Sequence, residues 1–233
     1  MKKIGIIIFA ITLAVGLAIS SIFSFGRSTS RLFNFSFDIG SVKGSGHMGS
    51  SVRDLKDFNA VDVGGIFEVE ITSQKDFDVE VEADDNLLPF ISTEVVNGTL
   101  KIETEKRLKT DNPIRIRISA PNINDLDISG VASVKLINVD GQKLNVNASG
   151  ASKLTANGTA SKLNVDVSGA AKVYASELTV GNARVDASGA SQVEVNVTET
   201  LNAEASGASN VVYTGSPTNV DKDVSGAGSV SEK

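Results

Sequence analysis

The chain has 233 residues, 41% of them hydrophobic, which is enough for one long all-β domain or two ordinary domains to bury a core. The formal net charge is −6, and two of the lysines, Lys2 and Lys3, lie at the very start, so the rest is more acidic still. That balance excludes a nucleic-acid binder, which needs clustered Lys and Arg to displace counterions. The absence of cysteine and the single histidine exclude disulfides, thiolate metal sites, a cysteine nucleophile and a lipidated N-terminal cysteine.

In chain order, Met1-Lys2-Lys3 precedes an uncharged run, residues 4–26, dense in Ile, Leu, Ala and Phe. This is the pattern of an export signal whose positive end stays inside. Two fates are open. Ala18-Ile19-Ser20 offers small residues to a signal peptidase, and a run of this length at about 1.5 Å per residue also crosses a hydrocarbon core of about 30 Å as an uncleaved anchor. Either way the chain after Arg27 is expected outside the cytoplasm, as a periplasmic, cell-surface or membrane-anchored protein.

Phe33, Phe35, Phe37 and Ile39 alternate with polar residues, the period-two pattern of a short strand. The Gly/Ser-rich stretch 40–51 reads as a linker. It contains Gly44-Ser45-Gly46-His47-Met48-Gly49, a formal match to the dinucleotide fingerprint. No helical period or βαβ unit follows, so the match carries no cradle for phosphates, and the lone His47 is expected to be solvated.

From residue 55 to 120 alternation predicts strands around Phe58, Val61 and Val63, around Phe67, Val69 and Ile71, around Phe77, Val79 and Val81, and around Ile114, Ile116 and Ile118. Asn97-Gly98 between Val95 and Leu100 is the strongest hairpin signal. This region is expected to be antiparallel or mixed.

Beyond Pro121 the sequence repeats. Ser-Gly plus a small residue occurs at Ser129-Gly130-Val131, Ser149-Gly150-Ala151, Ser168-Gly169-Ala170, Ser188-Gly189-Ala190, Ser206-Gly207-Ala208 and Ser225-Gly226-Ala227, every 18 to 20 residues. One, three and five residues before the Ser the chain is mostly apolar, and two and four residues before it is polar or charged. An apolar residue returns five positions after. Two alternating strands per repeat, joined at a Gly corner, bury one face only when copies stack. The expected fold is therefore all-β: a right-handed parallel β-helix or solenoid with coils of about 19 residues in 121–233, and a β cap from 55–120 over its N-terminal face. Gly supplies the corner angles, and the small residue after it is expected to let coils nest.

Several segments together resemble a bacterial family, the auto-transporter adhesin head domain or head GIN domain. They are Phe58-Asn59-Ala60-Val61, Gly65-Ile66-Phe67-Glu68-Val69, Ala83-Asp84-Asp85-Asn86-Leu87, Val95 to Leu100 and the Ser-Gly-Ala repeats. The resemblance implies an extracytoplasmic β-helix and, by its name, adhesion. It brings no catalytic or ligand residues to carry over. Many members carry an acylated cysteine, which this chain lacks.

Serine catalysis would need a neighbouring base, so the repeat serines are read as corner hydrogen-bonders. Two residues before each repeat Ser stand Asp127, Asn147, Asp166, Asp186, Glu204 and Asp223, expected on one outward face. Stacked carboxylates could take a hard cation, but a solvated face that blunts sheet stacking is the plainer expectation. Neither catalytic nor metal residues nor a cofactor are assigned. The function expected is a non-enzymatic envelope module binding an extracellular protein or glycan ligand, with the membrane touched only through the N-terminal segment. The alternatives are a polysaccharide-acting β-helix enzyme and a membrane-tethered stress regulator.

Overall fold

The repeat pattern dictates a rung made of one extended segment, a corner at Ser-Gly and a second extended segment, and this is how the chain is built. A computed structural model describes residues 40–233; the expected leader and the strand at 33–39 lie outside them. The repeats form β10 (Asp125–Gly130), β11 (Ser133–Ala148), β12 (Lys153–Val167), β13 (Lys172–Ala187), β14 (Gln192–Ala205), β15 (Asn210–Thr214), β16 (Asn219–Val224) and β17 (Ser229–Glu232). They stack in parallel as a β-solenoid of about five turns with coils of roughly 20 residues. The long strands bend midway: residues 133–136 of β11 pair with 153–156 of β12, and a register shift follows before Val139. Their second halves form a first wall, ending at the Ser-Gly corner, and their first halves form a second wall beyond it.

Stacking places equivalent residues in columns. Along the first wall Leu126 lies beside Val146, then Val165, Val185 and Ala203, all buried. Each fully buried Val or Leu contributes about 1.5–3 kcal/mol through area removed from water. Outward neighbours in the same strands remain polar, as the period of two requires.

Residues 55–120 do more than cap. β3 (Ala60–Gly65) pairs in parallel with β10, and β4 (Glu68–Ser73) with β11. β7 (Thr99–Thr104) and β9 (Arg115–Ala120) add a further rung onto β3 and β4. The β3–β4 rung thus sits between two rungs that follow it in sequence. The link from β9 to β10 steps past it, with Asn124 N–H donating to Asn59 O at 2.8 Å and Gln74 N–H to Pro121 O at 3.3 Å. Closure of the N-terminal end comes from antiparallel strands: β6 (Ile91–Val96) on β7, β5 (Asp78–Asp84) on β9, and β2 (Met48–Val52) on β5. The β6–β7 hairpin turns at Asn97 and Gly98 with φ of 52° and 79°, as that dipeptide predicts.

The stretch 40–51, read as a linker, is ordered. It carries β1 (Ser41–Lys43), which pairs in parallel with β8 (Arg107–Lys109), and most of β2. No apolar period marks these strands, because Met48 and Val52 face solvent. They are held by backbone pairing and by side chains of 84–86. Among the described residues no helix is long and apolar enough to cross a membrane.

The corner differs from expectation in one respect. Ala151, Ala170, Ala190 and Ala208, directly after the Gly, are exposed. Their contribution is the backbone N–H, which donates to the Gly carbonyl of the preceding rung at 2.7–2.8 Å. Nesting is done one residue later, by buried Ala132, Ser152, Ala171, Ser191 and Ser209. Gly169 has φ +72°, and a Cβ there would stand 2.8 Å from the Gly150 carbonyl oxygen. Gly169→Val is expected to cost about 1–3 kcal/mol through backbone strain and overpacking, while Lys172→Thr on the exposed face costs under about 0.5 kcal/mol. Denaturant melts of both variants check this; equal midpoints would show that the corner is not a tight stack.

Candidate functional site

Because rungs repeat about every 4.8 Å, an acid recurring at one repeat position becomes a ladder. The expected outward acids do form a column on the first wall, with Asp127, Asn147, Asp166, Asp186, Glu204 and Asp223 in direct register. The structure extends it by Asp62, beside Asp127, and by Lys101 beside Asp62. Sequence alignment on Ser-Gly misses these two because the corner after Asp62 reads Gly64-Gly65. A second column runs alongside: Asp125, Asn145, Asn164, Arg184, Asn202 and Asp221. Lys143 and Lys162 stack at the starting edge of the same wall.

The two columns behave differently. In the second, Asn145 Nδ2 donates to Asp125 Oδ1 and Asn164 Nδ2 donates to Asn145 Oδ1 at 2.8 Å, so amides bridge rung to rung. In the acidic column like charges lie directly opposite one another, an arrangement that destabilises a sheet. Among the described residues, the wall's one ion pair joins Arg184 Nη2 to Glu204 Oε1 at 2.8 Å. Burial, followed by the neighbouring Asp127 carboxylate, pushes the Asp62 carboxyl above its ordinary value, and Lys101 only partly opposes this. Between the columns lies a shallow cleft of about 460 Å³ lined by Asp125, Asn145, Asn164, Asp166, Arg184 and Asp186, among others.

The second wall shows that the same lattice can neutralise its acids. Arg115 Nε reaches Glu68 at 3.2 Å, Arg117 Nη1 reaches Glu82 at 2.7 Å and Glu80 at 3.2 Å, and Lys135 approaches Glu70 at 3.9 Å. The Arg117 hydrogen bond holds the Glu82 carboxyl below its usual value. On the β4, β9 and β11 strands of the second wall alternating signs therefore compensate one another, although Lys153 and Lys172 lie like beside like further along it; on the first wall the Arg184–Glu204 pair alone does so among the described residues.

The remaining candidates are structural. The glycine fingerprint at 44–49 is the loop 44–47 between β1 and β2 together with the first two residues of β2. Asp84, nearly fully buried, accepts from Asn112 Nδ2 at 2.6 Å and Thr110 Oγ1 at 2.7 Å, and these bonds hold its carboxyl below the ordinary value. A Cβ on Gly44 would collide with that carboxylate, so Gly here serves close packing. His47 is exposed, and its carbonyl accepts from Asp85 N–H at 2.8 Å. Ser188 Oγ donates to Val167 O at 3.4 Å, as expected of a corner serine. Among the described residues no group of three or more His, Cys, Asp or Glu is arranged to hold a metal ion.

The raised Asp62 pKa has a defined sign. The folded state holds that proton more tightly, so stability falls as pH rises from the ordinary carboxylate range, about 3.9, through the folded value. Asp62→Asn is expected to melt at a higher temperature than the parent at neutral pH, with the gain disappearing below about pH 4. Thermal melts across that range check it; a lower melting temperature at neutral pH would contradict a carboxylate held at a cost.

Comparison with known proteins agrees with this architecture. The family model described as "putative auto-transporter adhesin, head GIN domain" matches residues 57–217. A crystal structure of a putative adhesin from Bacteroides fragilis NCTC 9343 superposes with a TM-score of 0.70 at 23% identity, covering 82% of this chain and 100% of that one. A putative adhesin from Parabacteroides distasonis ATCC 8503 gives a TM-score of 0.49 at 21% identity, covering 83% and 100%. A putative lipid binding protein from the same organism gives 0.49 at 19%, covering 83% and 99%. No curated protein matches. With its Ser-Gly corners, its stacked coils and a family match over most of its length, the chain belongs to the auto-transporter adhesin head GIN domain family.

Proposed function

We propose that this chain is a non-enzymatic binding module displayed outside the cytoplasm on the cell envelope, and that its contact face is the acidic first wall. The observation that carries this reading is the partition of charge between two walls of one lattice. The second wall pairs Glu68, Glu70 and Glu82 with Arg115, Lys135 and Arg117 of neighbouring strands, whereas on the first wall Asp62 lies beside Asp127, Asp166 beside Asp186 and Glu204 beside Asp223, and among the described residues only Glu204 of these has an ion pair. Stacked like charges lower stability, and proteins keep such locally unfavourable arrangements at functional sites.

The partner that fits is a surface with closely spaced amino or guanidinium groups, on a basic protein segment or an amino-sugar polymer. Each contact between exposed charges is weak, about 0–1 kcal/mol. Repetition at a fixed spacing lets such contacts add, as a multivalent binder requires. A neutral glycan fits less well, because sugar faces pack on aromatic rings and the first wall offers none. Tyr174 lies on the second wall and Tyr213 is buried. The family and its named adhesins support an adhesive role at the cell surface, with the N-terminal segment as the proposed link to the membrane.

The test displays the full chain on cells and measures retention on surfaces coated with a basic peptide, an amino-sugar polymer or a neutral glycan. Retention on the cationic coatings is expected to fall with salt, since the Debye length is only about 10 Å at 0.1 M. Asp127→Asn, Asp166→Asn and Asp186→Asn together should weaken it about tenfold, the equivalent of 1.4 kcal/mol. Lys135→Gln, Lys153→Gln and Lys172→Gln should leave it unchanged. Equal retention by parent and triple Asp variant would overturn the assignment of the face, and release of new reducing ends from either glycan would overturn the non-enzymatic reading.

A further inference from the structure

β1 and β8 form a two-stranded parallel sheet of their own, in which Ser41 lies beside Arg107, Val42 beside Leu108 and Lys43 beside Lys109. The period of two turns Val42 and Leu108 toward the core and leaves Lys43, Arg107 and Lys109 exposed on the other side. Partners on neighbouring strands stand about 4.8 Å apart, so Lys43 and Lys109 put like charges side by side, which a sheet holds at a cost. Lys106 adjoins this sheet, its ammonium 4.4 Å from the Phe90 ring centroid. Among the described residues none of these four cations has an ion pair, in a chain whose net charge is −6. The acids of the same loop, Glu105 and Asp111, stand at its two ends.

An apolar strip adjoins these cations. The exposed residue after the corner Gly is Ala in the rungs from Ala151 to Ala227, but it is Val131 and Ile66 in the two rungs next to the cap. These are 63% and 49% exposed, and the Val131 N–H on Gly65 O sets them one rung apart. A groove of about 570 Å³ is lined by Gly65, Ile66 and residues 104–108, so Lys106 and Arg107 form its cationic side. Apolar side chains rimmed by Lys and Arg suit a lipid surface, where the apolar groups enter the interface and the cations meet phosphates. The chain also enters this face from the segment proposed above as its link to the membrane. Gly40 directly precedes β1, and only residues 27–39 separate it from the apolar run 4–26, a span of at most about 45 Å when fully extended.

We propose that Lys43, Lys106, Arg107 and Lys109, with Ile66 and Val131, form a second membrane contact that docks the cap on anionic lipid headgroups. This goes beyond the N-terminal segment, to which the sequence assigns the only membrane contact, and it rests on that segment being the link. A tether limits how far the solenoid strays, and the cationic face decides which side of it meets the bilayer. The acids of the first wall are repelled by the same headgroups, so docking through the cap leaves that wall free for a cationic partner.

The experiment adds the full chain to vesicles of phosphatidylcholine, alone or with phosphatidylglycerol, and follows acylation of each lysine by mass spectrometry. With phosphatidylglycerol present, Lys43, Lys106 and Lys109 are expected to react about fivefold more slowly than on phosphatidylcholine alone, and high salt should abolish the difference. Lys135, Lys153 and Lys172 on the second wall should react equally on both. Arg107→Gln and Ile66→Ser, each an exposed position, should each remove most of the protection, whereas Lys153→Gln, the loss of one cation elsewhere, should leave it intact. Flotation of the parent with phosphatidylcholine vesicles after an alkaline wash reports the N-terminal link separately. If the wash strips the chain, the link has failed, and the face stands or falls by the lysine protection on phosphatidylglycerol vesicles. The inference is overturned if cap and second-wall lysines are slowed alike, or if both lipids give the same rates. It is also overturned if the protection arises in detergent without lipid and grows with protein concentration, which would mark a second copy as the occupant.

Discussion

The structure depends on one repeated backbone contact. At each corner a glycine in the left-handed region turns the chain, and the N–H after it donates to the glycine carbonyl one rung below. The series runs from Val131 on Gly65 through Ala151 on Gly130, Ala170 on Gly150, Ala190 on Gly169 and Ala208 on Gly189 to Ala227 on Gly207. A Cβ at Gly130, Gly150, Gly169, Gly189, Gly207 or Gly226 would meet the carbonyl below at under 3 Å. Glycine therefore does two things at once: it reaches a φ that other residues rarely adopt, and it lets backbone lie on backbone. The corner sets both the vertical spacing and the register of every rung.

Register then converts sequence position into surface chemistry. Inward, it produces buried columns, of which one narrows from Leu126 to Ala203 while another widens from Ala175 through Val195 to Tyr213. Outward, it produces a ladder of paired Arg and Glu at the start of the second wall and, on the first, a ladder of carboxylates compensated only at Glu204 among the described residues. The same rule makes the ends special, since a column has to stop somewhere. At the N-terminal end the stop is a change of direction, with β6 and β5 running antiparallel to the rung they cover. In the rung of β16 and β17 two columns change chemistry, with Lys222 and Glu232 in slots that elsewhere are apolar.

This dependence on register explains what could be read from the sequence. The solenoid, its corners and the acid column were legible because each depends only on position within a repeat, which Ser-Gly marks. What escaped depends on contacts distant in sequence. The insertion of β3–β4 between β7–β9 and β10–β11 leaves no local trace, since alternation shows that a strand exists but not which strand lies beside it. Asp62 was missed for the same reason: its place in the acid column comes from pairing with Asp127 across 65 residues of chain. β1 and β2 carry no apolar period because they are held by Asn86, Asp85 and Asp84 side chains and by backbone pairing. The nesting role assigned to the residue after each Gly belongs to the residue after that, a distinction between exposed and buried small side chains that spacing alone does not make.

Amide hydrogen exchange of the corners tests the account most directly. Ala151, Ala170, Ala190 and Ala208 have exposed side chains at sharp turns, where free loop amides exchange quickly. If their N–H groups are locked onto the glycine carbonyls of the rung below, they should be protected to the level of the buried strand amides of Val165 and Val185. Exchange of these four at the rate of unstructured loop amides, with the strands still protected, would contradict the corner stack as the constraint on which the fold rests.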